Sequence, residues 1–332
     1  MRPKINIWLT VGISLIVFTS PAQAQDQQWL QYHSSHESWQ PLGDINASYP
    51  EVVSDKPEGV ELPDFKCEER FFARWPTPMV AGGGLWLAFD RKSKAGPHDL
   101  LYIDLNGNGS LADESALEAY ELDERNAKFD PVKILFEGED GPITYHLNVK
   151  FYRLPNRTSL VLWPAGWYEG AIKVAGANKY CVLIDYNSNG TFNDKSLNAA
   201  ECDRIQIGKK GDQDARFVGN FIEIDCALYR PEIARDGACI KLIKAEDIKL
   251  GNIRLPQTIK EFSAGGENGL FKLKLESGTG SLPVGRYRIN QWAIEHEDEK
   301  GKNGSCKACV PLIKVILILP QAMRPSFRLV SQ

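Results

Sequence analysis

The chain has 332 residues, with 39 Lys and Arg against 43 Asp and Glu, 25% charged and 43% hydrophobic. This balance belongs to a folded globular protein and excludes a disordered tail, a collagen-like fibre and a multi-span membrane protein. The length predicts two domains, each able to bury a core. The slight acidity argues against nucleic acid or anionic lipid as the main partner.

In chain order, the first expected element is a secretory signal over residues 1–24. Arg2 and Lys4 open it, and Ile5 to Phe18 form an apolar run too short to span a bilayer comfortably. Ala22-Gln23-Ala24 then supplies the small-x-small cleavage pattern. An uncleaved anchor is the alternative. Cleavage leaves no expected membrane span and places the mature protein in the periplasm, the cell envelope or outside the cell. Residues 25–64 are polar and broken by Pro41, Pro50, Pro57 and Pro63, which reads as an extended lead-in.

From Phe65 the pattern is that of strands. Short runs rich in Val, Ile, Leu, Tyr and Phe alternate with Gly, Asn and Asp clusters. The expected strands include Leu85 to Phe89, Leu100 to Asp104, Val132 to Phe136, Thr144 to Tyr152, Ser159 to Leu162, Trp167 to Val174 and Tyr180 to Asp185. Beyond these come Arg204 to Ile207, Phe217 to Leu228, Cys239 to Ile243, Asn252 to Leu255, Leu270 to Leu275, Gly285 to Ile294 and Ile313 to Leu319. Glu114 to Asp123, rich in Ala, Leu and Glu, reads as a helix or as one more strand. Asp236-Gly237 signals a hairpin. The expected fold is mainly β, with antiparallel sheets in two domains. A β domain over 65–215 is followed by a β-sandwich-like domain over 216–332, the boundary falling in the Gly/Lys/Asp-rich stretch 208–214.

One motif occurs twice. Asp104, Asn106, Asn108, Gly109 and Ser110, followed by Asp113 and Glu114, match Asp185, Asn187, Asn189, Gly190 and Thr191, followed by Asp194. Each copy reads apolar strand, then D-x-N-x-N-G-x-x-x-D, an internal repeat. The chemistry suits Ca²⁺, a hard cation that takes six to eight oxygens. Side-chain oxygens at positions 1, 3 and 5 wrap one ion. The Gly at position 6 allows the turn that brings the position 7 carbonyl inward, and a later acid closes the far side. Two structural calcium sites are therefore expected. One comprises Asp104, Asn106, Asn108, Ser110 and Asp113 or Glu114; the other comprises Asp185, Asn187, Asn189, Thr191 and Asp194. The larger number of carboxylates makes the first the tighter site. Asn-Gly also favours metal-free hairpin turns, the competing reading.

The two loops resemble the calcium loops of the EF-hand and dockerin families over about a dozen residues each. They depart from that pattern by closing at position 10, where the helical hand closes at position 12 (here Ser115 and Ser196), and by entering from a strand. The helical fold of those families is therefore not implied. Gly166 to Val174, Tyr180 and the second loop resemble hairpins of secreted bacterial β-proteins with duplicated D-x-N-x-N-G loops, which implies an extracytoplasmic protein. Leu282-Pro283-Val284-Gly285-Arg286-Tyr287-Arg288-Ile289 resembles the strand entry of prealbumin-like and immunoglobulin-like surface modules and implies a β-sandwich.

Other residues carry weaker signals. Seven Cys leave at least one thiol unpaired or intermolecular. Cys306 and Cys309 form a C-x-x-C that reads as structural, metal-binding or redox. His33 and His36 read as solvated surface or as metal contacts. Trp163 and Trp167 read as a buried pair at a β-corner or as a sugar-stacking face. Nucleophile-elbow, phosphate-loop and nucleotide fingerprints are missing from the sequence. The leading expectation is a secreted, calcium-stabilised β protein with a binding or structural role toward an unidentified protein or glycan, and no enzymatic activity. The alternatives are a glycan-directed hydrolase with structural calcium and a thiol-based envelope protein using the C-x-x-C pair.

Overall fold

A computed structural model describes residues 27–38, 41, 43, 45–94, 96–139, 141–275, 277–297, 303–309 and 315–318. The expected signal segment lies outside the described residues. The strands of the first part are β1 (Gln28–Trp29), β2 (Gln31–Ser34), β3 (Val52–Val53), β4 (Phe71–Pro76), β5 (Gly84–Asp90), β6 (Leu100–Ile103), β7 (Leu117–Leu122), β8 (Asn126–Phe136), β9 (Ile143–Leu154) and β10 (Arg157–Pro164). There follow β11 (Gly166–Val174), β12 (Ala177–Ile184), β13 (Arg204–Gly208), β14 (Arg216–Phe217), β15 (Ile222–Ile224), β16 (Ala227–Ile233) and β17 (Cys239–Lys244). The last are β18 (Leu250–Arg254), β19 (Ile259–Gly266), β20 (Gly269–Lys274), β21 (Thr279–Pro283), β22 (Gly285–Glu297), β23 (Asn303–Cys309) and β24 (Val315–Ile318). All named strand pairs are antiparallel, and a single 3-10 turn, Ala199–Glu201, is the one helical element among the described residues. The mainly β, antiparallel expectation therefore holds.

The largest sheet is an eight-stranded meander, β10-β9-β8-β7-β6-β5-β4-β3. Its two edges approach through a bridge between Ser48, just before β3, and Leu162 on β10, which makes the sheet barrel-like. Period-2 alternation fills it: Ala73 and Trp75, Leu85, Leu87 and Phe89, Leu101 and Ile103, then Leu147, Val149 and Phe151 all join one buried cluster. The outer face of β4–β6 is buried too. Phe72, Ala88, Leu100 and Tyr102 pack under Val60 and Leu62 of the lead-in and under Phe65, which follows it.

Two smaller sheets extend the same core. One is β14-β13-β12-β11-β2, the other β1-β17-β16-β15. Tyr168, Ile172, Leu183, Ile205, Ile222, Tyr229, Ile240 and Leu242 all belong to the main cluster, whereas a second cluster starts at Ile253 and contains Phe262, Phe271, Leu282 and Tyr287. The core groupings therefore do not follow the sequence boundary near residue 215. Strands β15–β17 pack with what precedes them.

The C-terminal sheets are β18-β21 and β20-β19-β22-β23, with β24 also on β22. The tip of the β19–β20 hairpin docks on residues 219–221. Asn220 N donates to Glu267 O at 2.8 Å and Phe221 N to Asn268 O at 3.1 Å. A side chain on Gly219 would strike the Gly269 backbone at 2.2 Å, so the seam requires glycine there. Tyr287 donates to Pro283 O at 2.8 Å, fixing the turn of the Leu282–Ile289 motif.

The stretch from Glu114 to Asp123 holds a strand, not a helix. In β7, Leu117 and Ala119 turn toward the core while Glu118 and Tyr120 turn out, the period of a strand. Tertiary pairing with β6 and β8 overrides the local helix preference.

Candidate metal centres

Both loops begin where a strand ends. β6 delivers Asp104 and β12 delivers Asp185, each at the end of an apolar run whose residues are buried on both faces. Each aspartate accepts the same pair of backbone donors. In loop 1, Asn108 N and Gly109 N reach Asp104 at 3.1 and 3.0 Å. In loop 2, Asn189 N and Gly190 N reach Asp185 at 3.2 and 2.7 Å. Position 4 is left-handed in both, at Gly107 (φ 68°) and Ser188 (φ 60°), and so is position 6, at Gly109 (φ 82°) and Gly190 (φ 95°). These turns fold the chain back over the first aspartate.

The later acids also match. Asn106 and Asn108 donate their amides to one oxygen of Asp113, both at 3.0 Å. Asn187 and Asn189 do the same to Asp194, at 3.0 and 2.7 Å, and Thr191 adds its hydroxyl at 2.7 Å. Ser110 N and Thr191 N donate to the position 5 amide oxygens at 2.7 and 2.9 Å. In each loop the position 3, 5 and 10 side chains are thus tied into one hydrogen-bonded group, and the position 1 carboxylate holds the position 5 and 6 backbone amides.

A second acid clamps each loop from outside. Glu114 accepts from Leu105 N at 2.7 Å, the position 2 amide of loop 1. In loop 2 that task falls to Asp203, which accepts from Tyr186 N at 3.0 Å and from Asp194 N at 2.8 Å. Of the two acids expected to close loop 1, Asp113 therefore occupies the place of Asp194, and Glu114 the place of Asp203. Asp203 and Tyr145, whose hydroxyl donates to Asp185 at 2.8 Å, are site residues the sequence did not single out. Asp203 lies nine positions beyond Asp194 on the approach to β13, and Tyr145 comes from another sheet, so no local spacing marks either.

Electrostatics separate the two copies. Burial pushes the Asp185 carboxyl up, against the opposing pull of Gly190 N, Tyr145 and Asn189 N. Burial, then the charges of Asp185 and Asp194, push Asp203 well above the usual carboxylate range. Asp104 and Glu114 are also raised by burial. Asp113, with the Asn106 and Asn108 amides beside it, is lowered.

Among the described residues no group of three His, Cys, Asp or Glu side chains is arranged to hold a metal alone. Each loop can offer one only by adding amide and main-chain oxygens to its acids, which is how calcium is commonly held. One atom fits such a role. The amide oxygen of Asn187, at position 3, is buried without a hydrogen-bond partner, an expensive state for a polar atom unless a ligand is supplied.

The other sequence candidates are dispersed. His33 stacks on Trp167, with ring centroids 5.5 Å apart, and lies 3.6 Å from Glu169; His36 lies 3.4 Å from Asp130. Trp163 and Trp167 are both half-buried, and the Trp167 indole donates to Glu169 at 3.0 Å. Cys67, Cys181, Cys202, Cys226 and Cys239 are all free thiols. Cys306 and Cys309 lie within strand β23, opposite Ile294 and Gln291 in register, where a redox pair normally opens a helix. A groove of 330 Å³ is lined by Arg216, Glu261, Ser263, Lys272 and Gln291, among others. Among the described residues no helix is long and apolar enough to cross a membrane. Compared with family models, curated proteins and solved structures, the chain matches none.

Proposed function

We propose that this is a calcium-stabilised β protein acting outside the cytoplasm, with a binding or structural role toward a glycan or another protein. One observation carries the reading. Two loops 81 residues apart in sequence reproduce the same constellation of aspartate, two asparagines and closing aspartate, down to matching hydrogen bonds. A plain hairpin turn needs none of this side-chain convergence, since Asn-Gly satisfies it with backbone alone.

Calcium would be held by Asp104, Asn106, Asn108, the Ser110 carbonyl and Asp113 in loop 1. In loop 2 it would be held by Asp185, Asn187, Asn189, the Thr191 carbonyl and Asp194. Each amide oxygen has two lone pairs, and the backbone uses at most one of them in Asn106 and Asn108. The ion would supply positive charge where carboxylates face one another and would fix the ends of β6 and β12. None of the four acids of this set, Asp104, Asp113, Asp185 and Asp194, takes part in a described salt bridge with Lys, Arg or His.

Calorimetric titration of the purified protein with calcium, paired with thermal melts in EDTA, tests the reading. Two binding events and a higher melting temperature are expected. Absence of heat and of any melting shift up to millimolar calcium would reduce both loops to polar turns.

A further inference from the structure

The lead-in is more than an extended tail. It forms a strap that touches each sheet of the first core. β1 pairs with β17, β2 with β11, Ser48 with Leu162 on β10, and β3 with β4. Its last part lays Val60 and Leu62 on the outside of the large sheet, beside Phe65. Little of it is buried deeply. Its strands are two to four residues long and Trp29 is 71% exposed. Segments with few buried apolar contacts open at lower free energy than the core they lie on.

The strap is fastened at both candidate metal loops. At loop 2, Asn46 N donates to Tyr186 O at 3.2 Å and the Ser188 hydroxyl donates to Asn46 O at 2.9 Å. The Asn46 side chain reaches on to Ala200 O at 3.3 Å. At loop 1, Glu61 bridges Ser110 in parallel, and Leu111 N donates to Glu61 O at 2.8 Å. These are rim positions of the loops: 2 and 4 in one copy, 7 and 8 in the other. A loop ordered around an ion presents these groups in fixed positions; a loose loop does not.

We propose that the two loops are latches for the strap, so that cation binding and strap docking are one coupled equilibrium. The inference rests on the calcium reading of the loops. Linkage makes it reciprocal: calcium favours the docked strap, and the docked strap tightens calcium. Release of the strap would uncover the edges of β11 and β17, which β2 and β1 now occupy, together with Phe72 and Tyr102. Unpaired edges of this kind are places where another strand can add.

Hydrogen exchange of the purified protein in millimolar calcium and in EDTA, with calorimetry on the same samples, tests the latch. The amides of Asn46 and Ser48 report on the strap, and those of Leu147 and Val149 on the core. Exchange at Asn46 and Ser48 is expected to slow about tenfold or more in calcium, a coupling of ordinary size, with the core amides unchanged. Ser188→Gly removes the latching hydroxyl and keeps a residue suited to the left-handed turn. It is expected to weaken calcium binding about two- to tenfold, the worth of one hydrogen bond. Calcium heat without any change in strap exchange would overturn the latch and leave the calcium reading standing. Loss of heat altogether would overturn the calcium reading, and the latch with it. Because the coupling is reciprocal, unchanged affinity in Ser188→Gly would overturn the latch at loop 2.

Discussion

Loop 1 stands at the surface and loop 2 inside the protein, although the two share one pattern of donors and acceptors. Asn106, Gly107 and Asn108 are exposed, whereas Ser188, Gly190, Thr191 and Phe192 are buried. Loop 2 is gripped from several directions: Trp75 donates to Ser188 O at 2.7 Å, Tyr145 to Asp185, and Phe192 N to Arg235 O at 3.0 Å. Loop 1 has the strap and Glu114. Local sequence thus dictates the hydrogen-bond skeleton of such a loop, while the surroundings decide what a missing partner costs. The comparison breaks most sharply on the first aspartate. Asp185→Ala strands Asn189 N, Gly190 N and the Tyr145 hydroxyl in a dry site and is expected to cost about 3–5 kcal/mol. Asp104→Ala strands two amides that water can reach, at about 1–2 kcal/mol. Urea unfolding of both variants, in EDTA so that the ion plays no part, measures the difference; equal losses would mean that burial does not set the cost.

The pH dependence sharpens the same contrast. Asp185 and Asp203 have folded pKa values raised above their unfolded ones, so the folded state holds protons that the unfolded state releases. Their contribution to stability is complete below the unfolded carboxylate range, near pH 4, and is lost as pH climbs through the raised folded values. In EDTA the unfolding free energy, and with it the melting temperature, should therefore fall between about pH 4 and neutrality, the free energy by up to about 1.4 kcal/mol per pH unit for each group still protonated only in the fold. Asp185→Asn should flatten that fall. Asp104→Asn, at the less burdened loop, should flatten it less. Calcium should oppose the fall, because it binds the ionised carboxylates. A rising or level profile in EDTA would show that burial does not hold these acids protonated.

Much of this was legible in the sequence, for identifiable reasons. Period-2 runs such as Leu85, Leu87 and Phe89 announced strands directly. The two loops were visible because the hydrogen bonds that join their position 1, 3, 5, 6, 7 and 10 residues are made within ten residues of sequence. What escaped was held together by distant partners. β2 is polar and reads as loop, yet its edge pairing with β11 is secured where the Tyr32 hydroxyl passes over Gly166 and meets His146 Nδ1 at 3.0 Å. A Cβ on Gly166 would lie 1.9 Å from that hydroxyl. The first half of β8 was missed because Pro131 interrupts the run; it sits in a bulge between Phe129 and Val132, where the ladder needs no donor. Asp203 escaped because an acid beside a strand has no spacing signature until the fold brings it to Tyr186 N.

Carboxylate number favours loop 1 as the tighter calcium site, since Asp104, Asp113 and Glu114 outnumber Asp185 and Asp194. The geometry redistributes those charges: Glu114 is engaged with Leu105 N, and Asp113 gathers the amides of Asn106 and Asn108. The smallest expected effect therefore belongs to Glu114→Gln. Glutamine keeps an oxygen for Leu105 N, so stability should change by no more than about 0.5 kcal/mol, and loop 1 affinity by no more than about twofold. Asp113→Asn removes the closing charge itself and should weaken loop 1 about tenfold or more, as ligand charge sets calcium affinity. Calorimetry on both variants decides between the two acids. A tenfold loss in Glu114→Gln would make Glu114 the closing ligand and break its equivalence with Asp203; parity between the variants would mean that neither acid alone closes the loop.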